Sequence, residues 1–165
     1  MDAVGPDFAE WYSANHGRLV AGLLVISGRV DLTQDAVDEA CVRAYARWDR
    51  VSVMQSPTGW VYQVALNVLR RQARRAALEQ RLIRRDPAPL LVDGPASAAW
   101  ELVATLPPRQ RTAVVLRYVS DLTQAEIAKA MGVTRSTVSS TLTNALTRLG
   151  ELMAVAPVDL EPHDA

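Results

Sequence analysis

An all-α fold follows from three features of the sequence. Apolar residues recur at helical spacing along most of the chain, long Val/Ile/Thr alternations are absent, and Ala, Leu, Arg and Glu are plentiful. One stretch, Asp86 to Ser97 (DPAPLLVDGPAS), breaks that periodicity with Pro87, Pro89, Gly94 and Pro95. It divides 165 residues, 49% of them hydrophobic, into two small helical domains joined by a short flexible linker. The expected limits are 1–86 for the first domain, 87–97 for the linker and 98–153 for the second domain, with 154–165 as a disordered tail.

Residues 6–27 read as the first helix. Pro6 suits an early helical position, Phe8, Trp11, Tyr12, Leu19, Leu23 and Leu24 recur on one side, and Ser27-Gly28 closes it. The second runs from about Leu32 to Trp48, with Asp31 or Thr33 as a cap and Asp35 complementing the helix dipole. Its inner stripe is Ala36, Val37, Ala40, Cys41, Ala44 and Tyr45; its outer face carries Asp35, Asp38, Glu39 and Arg43. Trp48 to Pro57 reads as a loop or broken helix. Pro57 then opens a third, long helix through Arg85, with Trp60, Val61, Val64, Ala65, Val68 and Leu69 inward and Gln63, Asn67, Arg70, Arg71, Arg74 and Arg75 over the remaining surface. After the linker, Ala98 to Thr105 and Pro108 to Ser120 read as two helices too short to be stable alone.

The stretch Leu122 to Leu149 reads as two helices joined by a tight turn. Thr123 and Glu126 form a T-x-x-E capping box, and Ile127, Ala128 and Met131 give the helix an apolar face. Gly132 stands where the chain must turn with positive φ, Val133 plugs the corner, and Thr134 caps the second helix. Val138, Leu142, Ala145, Leu146 and Leu149 form the buried stripe of that helix. Arg135, Ser136, Ser139, Ser140, Thr143 and Asn144 face the other way, a set of short polar groups. A helix-turn-helix that reads the major groove needs donors and acceptors near the start of its second helix. The plainer alternative is a helical hairpin with a solvated face.

Charge distribution narrows the function. The formal net charge is zero, yet Arg70, Arg71, Arg74, Arg75, Arg81, Arg84 and Arg85 fall in one segment where Glu79 is the only acid before Asp86. Acids gather at Asp31, Asp35, Asp38 and Glu39, and near the end at Asp159, Glu161 and Asp164. A chain with one basic and one acidic face can hold nucleic acid and a basic protein patch at once. The arginines, with Trp60, Tyr62 and Asn67 nearby, suit phosphate contact and base stacking. The lone Cys41 rules out an internal disulfide and a cysteine-rich metal site and reads as a packing residue; His16 has no second ligand at metal spacing. No apolar run approaches membrane-spanning length and no basic-then-apolar leader opens the chain, so a cytoplasmic protein is expected. No nucleophile–base pair or phosphate-cradling glycine loop stands out, which argues against an enzyme, a cofactor or a small-molecule substrate.

Three pieces together resemble the extracytoplasmic-function (ECF) sigma factors of the bacterial sigma-70 superfamily, over about Phe8 to Leu152. Asp35-Ala-Val-Asp-Glu-Ala-Cys-Val-Arg-Ala-Tyr resembles the region 2 helix that docks on the β′ clamp helices of RNA polymerase. Gly59-Trp-Val-Tyr-Gln-Val-Ala-Leu-Asn, with the arginine pairs after it, resembles the segment that grips and opens the −10 element. Leu106-Pro-Pro-Arg-Gln-Arg-Thr-Ala-Val-Val-Leu-Arg-Tyr, then Leu122-Thr-Gln-Ala-Glu-Ile-Ala, resembles region 4, which binds the −35 element and the polymerase β flap. The resemblance implies a sigma factor that binds core polymerase and directs promoter-specific initiation. It assigns docking to Asp35, Asp38, Glu39 and Arg43. The loop Val51 to Ser56, with Val53, Met54, Gln55 and Ser56, would hold a flipped base, and Trp60, Asn67, Arg70, Arg71 and Arg74 would contact −10 DNA. Arg135, Ser136, Ser139, Ser140 and Thr143 would face the −35 major groove, the linker would thread toward the RNA exit path, and an anti-sigma factor is a further expected partner.

Two departures from the family pattern stand out. Ser139, Thr141, Thr143 and Asn144 occupy a recognition helix where relatives commonly carry Lys or Arg, which implies weaker phosphate anchoring and leaves more to Arg135 and Arg148. Asp38 stands where many relatives carry glutamine, keeping the acceptor and losing the donor. Two other readings remain open. One is a helix-turn-helix transcriptional regulator, which has no use for the acidic helix and shows no dimer seam. The other is a sigma-like polymerase-binding protein without full promoter-initiating activity.

Overall fold

The computed structural model describes residues 7–82 and 98–155, and every regular element among them is a helix. In chain order they are α1 (Phe8–Ser27), α2 (Val30–Tyr45), α3 (Trp48–Val51), α4 (Pro57–Leu82), α5 (Ala98–Thr105), α6 (Pro108–Tyr118), α7 (Gln124–Met131) and α8 (Arg135–Val155). The proposed linker lies outside the described residues, as does the tail from residue 156 onward; α8 runs two residues into the stretch expected to be tail.

Gly28 ends α1 in the left-handed conformation at φ 67°, its N–H donating to the Leu24 carbonyl, as Ser27-Gly28 implied. The start of α2 differs from expectation. The helix begins at Val30, so both expected caps lie within it and neither caps it. Asp31 pairs instead with Arg29, while Thr33 is buried with its hydroxyl 2.7 Å from that of Ser27. A buried hydroxyl needs a partner, and this one ties the end of α1 to the start of α2.

The first half packs α1, α2 and α4 around Leu19, Leu23, Val37, Val61, Tyr62 and Val68. Tyr62 belongs to this core although the helical pattern did not place it there. It is fully buried, and its hydroxyl donates to the Arg18 carbonyl at 3.1 Å. Tyr45, expected inside, is 68% exposed and lies edge-on to Phe8 at 5.1 Å, because α2 ends there and leaves its last turn on the rim. Trp11 donates its indole N–H to Thr58 at 3.1 Å, which anchors the start of α4 on α1.

The second half packs α5 to α8 around Leu106, Val115, Leu116, Ile127, Val138 and Ala145. The two halves also share one hydrophobic cluster. Gly22 of α1 makes this possible. A Cβ there would lie 2.9 Å from the Tyr62 hydroxyl and 3.1 Å from a Val115 methyl, so α6 approaches α1 where α1 has no side chain. Leu122, just before α7, is buried and reaches to 3.7 Å from the Cβ position of Gly59 at the start of α4. The halves are also joined by Arg111, which donates to the Ile26 carbonyl at 3.4 Å, and by an exposed Arg18–Asp121 pair at 3.5 Å.

The close approach at Gly22 is testable. Gly22→Val overpacks the site and is expected to lower unfolding stability by about 1–3 kcal/mol, read from urea denaturation, although valine is the better helix former.

Candidate polymerase and promoter interfaces

The four residues expected to dock on polymerase share the outer face of α2, with Asp35, Asp38 and Arg43 exposed and Glu39 half-buried. Asp38 accepts from Gln34 Nε2 at 3.0 Å. Glu39 is the hub. One carboxylate oxygen accepts from Arg43 one turn on, and the other accepts from Arg71 of α4 at 2.7 Å. Sequence spacing exposes the first of these pairs as i, i+4; the second joins residues far apart in the chain and carries no local signal. Glu39 thus couples the acidic face to the basic helix. Beneath it, burial first and the Asp38 charge second push the Cys41 thiol up to about 11, so Cys41 is an inert packing group.

The arginines of α4 are not equivalent. Arg71 is held by Glu39. Arg70 is tied at both ends of its guanidinium, to Asn67 Oδ1 at 3.1 Å and to the Met131 carbonyl at the end of α7 at 3.2 Å. Burial lowers the Arg70 pKa, and repulsion from Arg109 and Arg74 adds to the effect, but a guanidinium remains a cation at any physiological pH. Arg74 and Arg75 are exposed and make no hydrogen bond among the described residues.

The loop before α4 holds Val53, Met54 and Gln55 outward, with Val53 at 66% exposure. Ser56, expected to touch DNA, caps α4. Its hydroxyl accepts from Gly59 N–H at 3.0 Å, and its carbonyl accepts from Trp60 N–H. Pro57 follows at the first helical position, where its missing N–H costs nothing. The Ser-Pro-x-Gly spacing contains this cap, although Pro57 alone had marked the start. A cleft of about 220 Å³ opens here, lined by Met54, Gln55, Ser56, Gly59 and Trp60. Its opposite wall comes from α7 and the residue before it: Thr123, Ala125, Glu126 and Lys129.

In the helix-turn-helix, the expected capping box is present. The Thr123 hydroxyl accepts from Glu126 N–H at 3.3 Å, and Glu126 accepts from Thr123 N–H at 2.6 Å. Gly132 turns at φ 69° and Thr134 caps α8 by accepting from Thr137 N–H at 3.2 Å. Arg135, Ser136, Ser139, Ser140 and Thr143 all lie on the exposed side of α8. The Ser140 and Thr143 hydroxyls donate back to carbonyls of their own helix, each at 3.0 Å, which leaves acceptor lone pairs facing outward. Leu146, expected in the buried stripe, is 46% exposed.

Among the described residues, no cluster of His, Cys, Asp or Glu could hold a metal ion. No described helix is long and apolar enough to cross a membrane.

Two parts of the chain match known families. Residues 11–79 match the sigma-70 region 2 family and residues 97–149 match sigma-70, region 4. RNA polymerase sigma-E factor of Streptomyces avermitilis is 30% identical over 131 residues, covering 76% of this chain and 73% of that protein. The Streptomyces coelicolor sigma-E factor is 29% identical over 136 residues, covering 76% and 74%. The fold is similar to that of the sigma factor RpoE, solved in complex with the anti-sigma factor NepR from Bartonella quintana. Its TM-score is 0.79 at 22% identity, over 90% of this chain and 98% of that one. CnrH, solved with the cytosolic domain of CnrY, has a TM-score of 0.60 at 18% identity, over 89% and 87%. The chain belongs to the sigma-70 family, as an ECF sigma factor. It binds core RNA polymerase and directs promoter-specific transcription; the reading as a lone helix-turn-helix regulator is not favoured.

Burial pushes the Glu126 carboxyl up, yet hydrogen bonds from Thr123 and from Ser56 outweigh it and its pKa falls below the ordinary value. A lowered folded-state pKa contributes stability above the unfolded value and loses it as pH falls through the folded one. Thr123→Ala should therefore cost about 1 kcal/mol at neutral pH. That deficit should shrink below the carboxylate range, read from thermal melts of both proteins across pH.

Proposed function

We propose that the work of initiation is divided along the chain as follows. Residues 1–86 dock on the polymerase β′ clamp helices and capture the melted −10 strand, and residues 98–153 bind the −35 duplex and the β flap. Docking uses Asp35, Asp38, Glu39 and Arg43, which lie on one face of α2. The −10 strand lies along Met54, Gln55, Trp60, Asn67, Arg70 and Arg74. The observation that carries this is the cleft beneath the Met54–Ser56 loop. It is lined by an indole and small polar groups and stands at the head of an arginine-bearing helix, which suits an unstacked base with its phosphates on the basic side. Capture of that base offsets the few kcal/mol of unstacking, so binding energy opens the duplex while the polymerase performs the chemistry.

The recognition helix reads with hydroxyls and one guanidinium. Ser136, Ser139, Ser140 and Thr143 offer short hydrogen-bonding groups to base edges, and Arg135 supplies the cation at the exposed start of α8. Such a surface orients more than it grips, so holoenzyme affinity rests mainly on the −10 side. A cytoplasmic location, no catalysis of its own and control by an anti-sigma factor complete this reading. A cleft of about 390 Å³ between the halves, lined by Leu32, Leu66, Leu69, Met131 and Val133 with Arg70 and Arg109, suits an amphipathic acidic helix of such a partner.

Transcription by purified core polymerase with a genomic fragment library, with and without this protein, tests the reading; transcripts sharing two upstream motifs are expected. Core-bound protein that starts no transcript would favour the polymerase-binding regulator instead. With the promoter in hand, Arg74→Ala and Arg135→Ala should each reduce the slope of log affinity against log salt by about 0.9. Only Arg135→Ala should respond when the −35 sequence is scrambled, as measured by fluorescence anisotropy.

A further inference from the structure

The cleft between the halves, about 390 Å³, falls within the span of about 300–1,000 Å³ usual for small-molecule sites. On α4, Leu66, Leu69, Arg70 and Ala73 follow i, i+3, i+4, i+7 spacing, so one helix face brings two leucines and a guanidinium to the same wall. Ile26 and Leu32 continue the aliphatic surface from α1 and α2, and Met131 and Val133 line it from the second half. Among the described residues, no aromatic ring and no carboxylate lines the cleft. The two hydroxyls that do, those of Ser27 and Thr112, are engaged with Thr33 and with the Pro108 carbonyl. An aliphatic floor with so few open polar groups suits an alkyl chain better than a nucleobase or a sugar.

Two guanidiniums supply the charge at this cleft, one from each half. Arg70 spends two of its five donors on Asn67 and on the Met131 carbonyl, and keeps the rest. Arg109 makes no hydrogen bond or ion pair among the described residues. It stands in the first turn of α6, where the helix dipole disfavours a cation and no acid compensates it. Arg70 and Arg109 repel one another, and with no carboxylate in the lining that repulsion is left unbalanced. A single anion shared between them would offset it.

We propose that this cleft binds a small anionic amphiphile, a straight-chain carboxylate or alkyl phosphate. Its chain lies on the leucine floor and its head is shared by Arg70 and Arg109. The proposal goes beyond the partner helix suggested for the cleft and does not depend on the −10 or −35 assignments. Charge-assisted hydrogen bonds hold the head, and each methylene buried raises affinity by up to about fourfold. Because one arginine comes from each half, the ligand bridges them and stabilises the folded chain by mass action.

Isothermal titration calorimetry of the full-length chain tests it, with octanoate, decanoate and decyl phosphate, each below its micelle-forming concentration. One saturable site is expected, with decanoate at least threefold tighter than octanoate. Octanol lacks the charge and should bind at least tenfold more weakly than octanoate. Inorganic phosphate lacks the chain and should bind at least tenfold more weakly than decyl phosphate. Saturating decanoate should also raise the melting temperature. Whichever head binds tighter, carboxylate or phosphate, supports the site and identifies the class of its ligand.

Two variants locate the site. Arg109 is exposed, so Arg109→Gln should fold as the parent chain does, checked by circular dichroism, and bind decanoate at least fivefold more weakly. Ala73, also exposed, lines the same wall as Arg70, so Ala73→Glu sets a fixed carboxylate beside that guanidinium and should weaken binding likewise. Decanoate affinity unchanged in both variants would overturn the site. So would octanol binding as tightly as octanoate, which removes the arginines from the account, or inorganic phosphate matching decyl phosphate, which removes the floor. Absence of any saturable binding would also overturn it and leave the cleft to a partner helix.

Discussion

Packing of α7 against α4 is the constraint on which the rest of the surface depends. An eight-residue helix has no stability of its own and needs an apolar neighbour for Ile127 and Ala128. Part of that neighbour is α8 and part is the first half of the chain. The same burial that stabilises the helix-turn-helix therefore places its first helix on the cleft expected to take DNA.

Polar groups in the first half show a similar economy. Glu39 binds Arg43 and Arg71 with its two oxygens, and so links α2 to α4. In such a pair each cation is partly neutralised before any ligand arrives. Arg74, exposed and without a hydrogen bond among the described residues, presents more of its charge than Arg71 does. Electrostatic arrangement, more than the count of arginines, decides how much charge each of them presents.

Sequence pattern carried much of the fold. The helix ends at Ser27-Gly28, the capping box at Thr123 and Glu126, the turn at Gly132 and the cap at Thr134 all stand as local spacing implied. Tyr45 and Leu146 have the right periodicity to be buried, yet both are exposed, Tyr45 because α2 ends there. Tyr62 errs in the opposite direction, since the first half supplies a carbonyl for its hydroxyl and burial becomes affordable. The Thr33 hydroxyl was taken for a cap and is instead a buried tether to Ser27.

The sequence by itself determined the helices, their order and the family. Those depend on spacing within a turn or two of helix, and on motifs whose order along the chain is specific to one family. Tertiary structure alone decided how the helices of the two halves meet. Gly22 admitting Val115, Leu122 reaching Gly59, Arg70 bonding the Met131 carbonyl and Arg71 bonding Glu39 each join residues distant in the chain. No periodicity records such contacts, because they arise from the shape complementarity of two assembled halves and not from the preferences of either one.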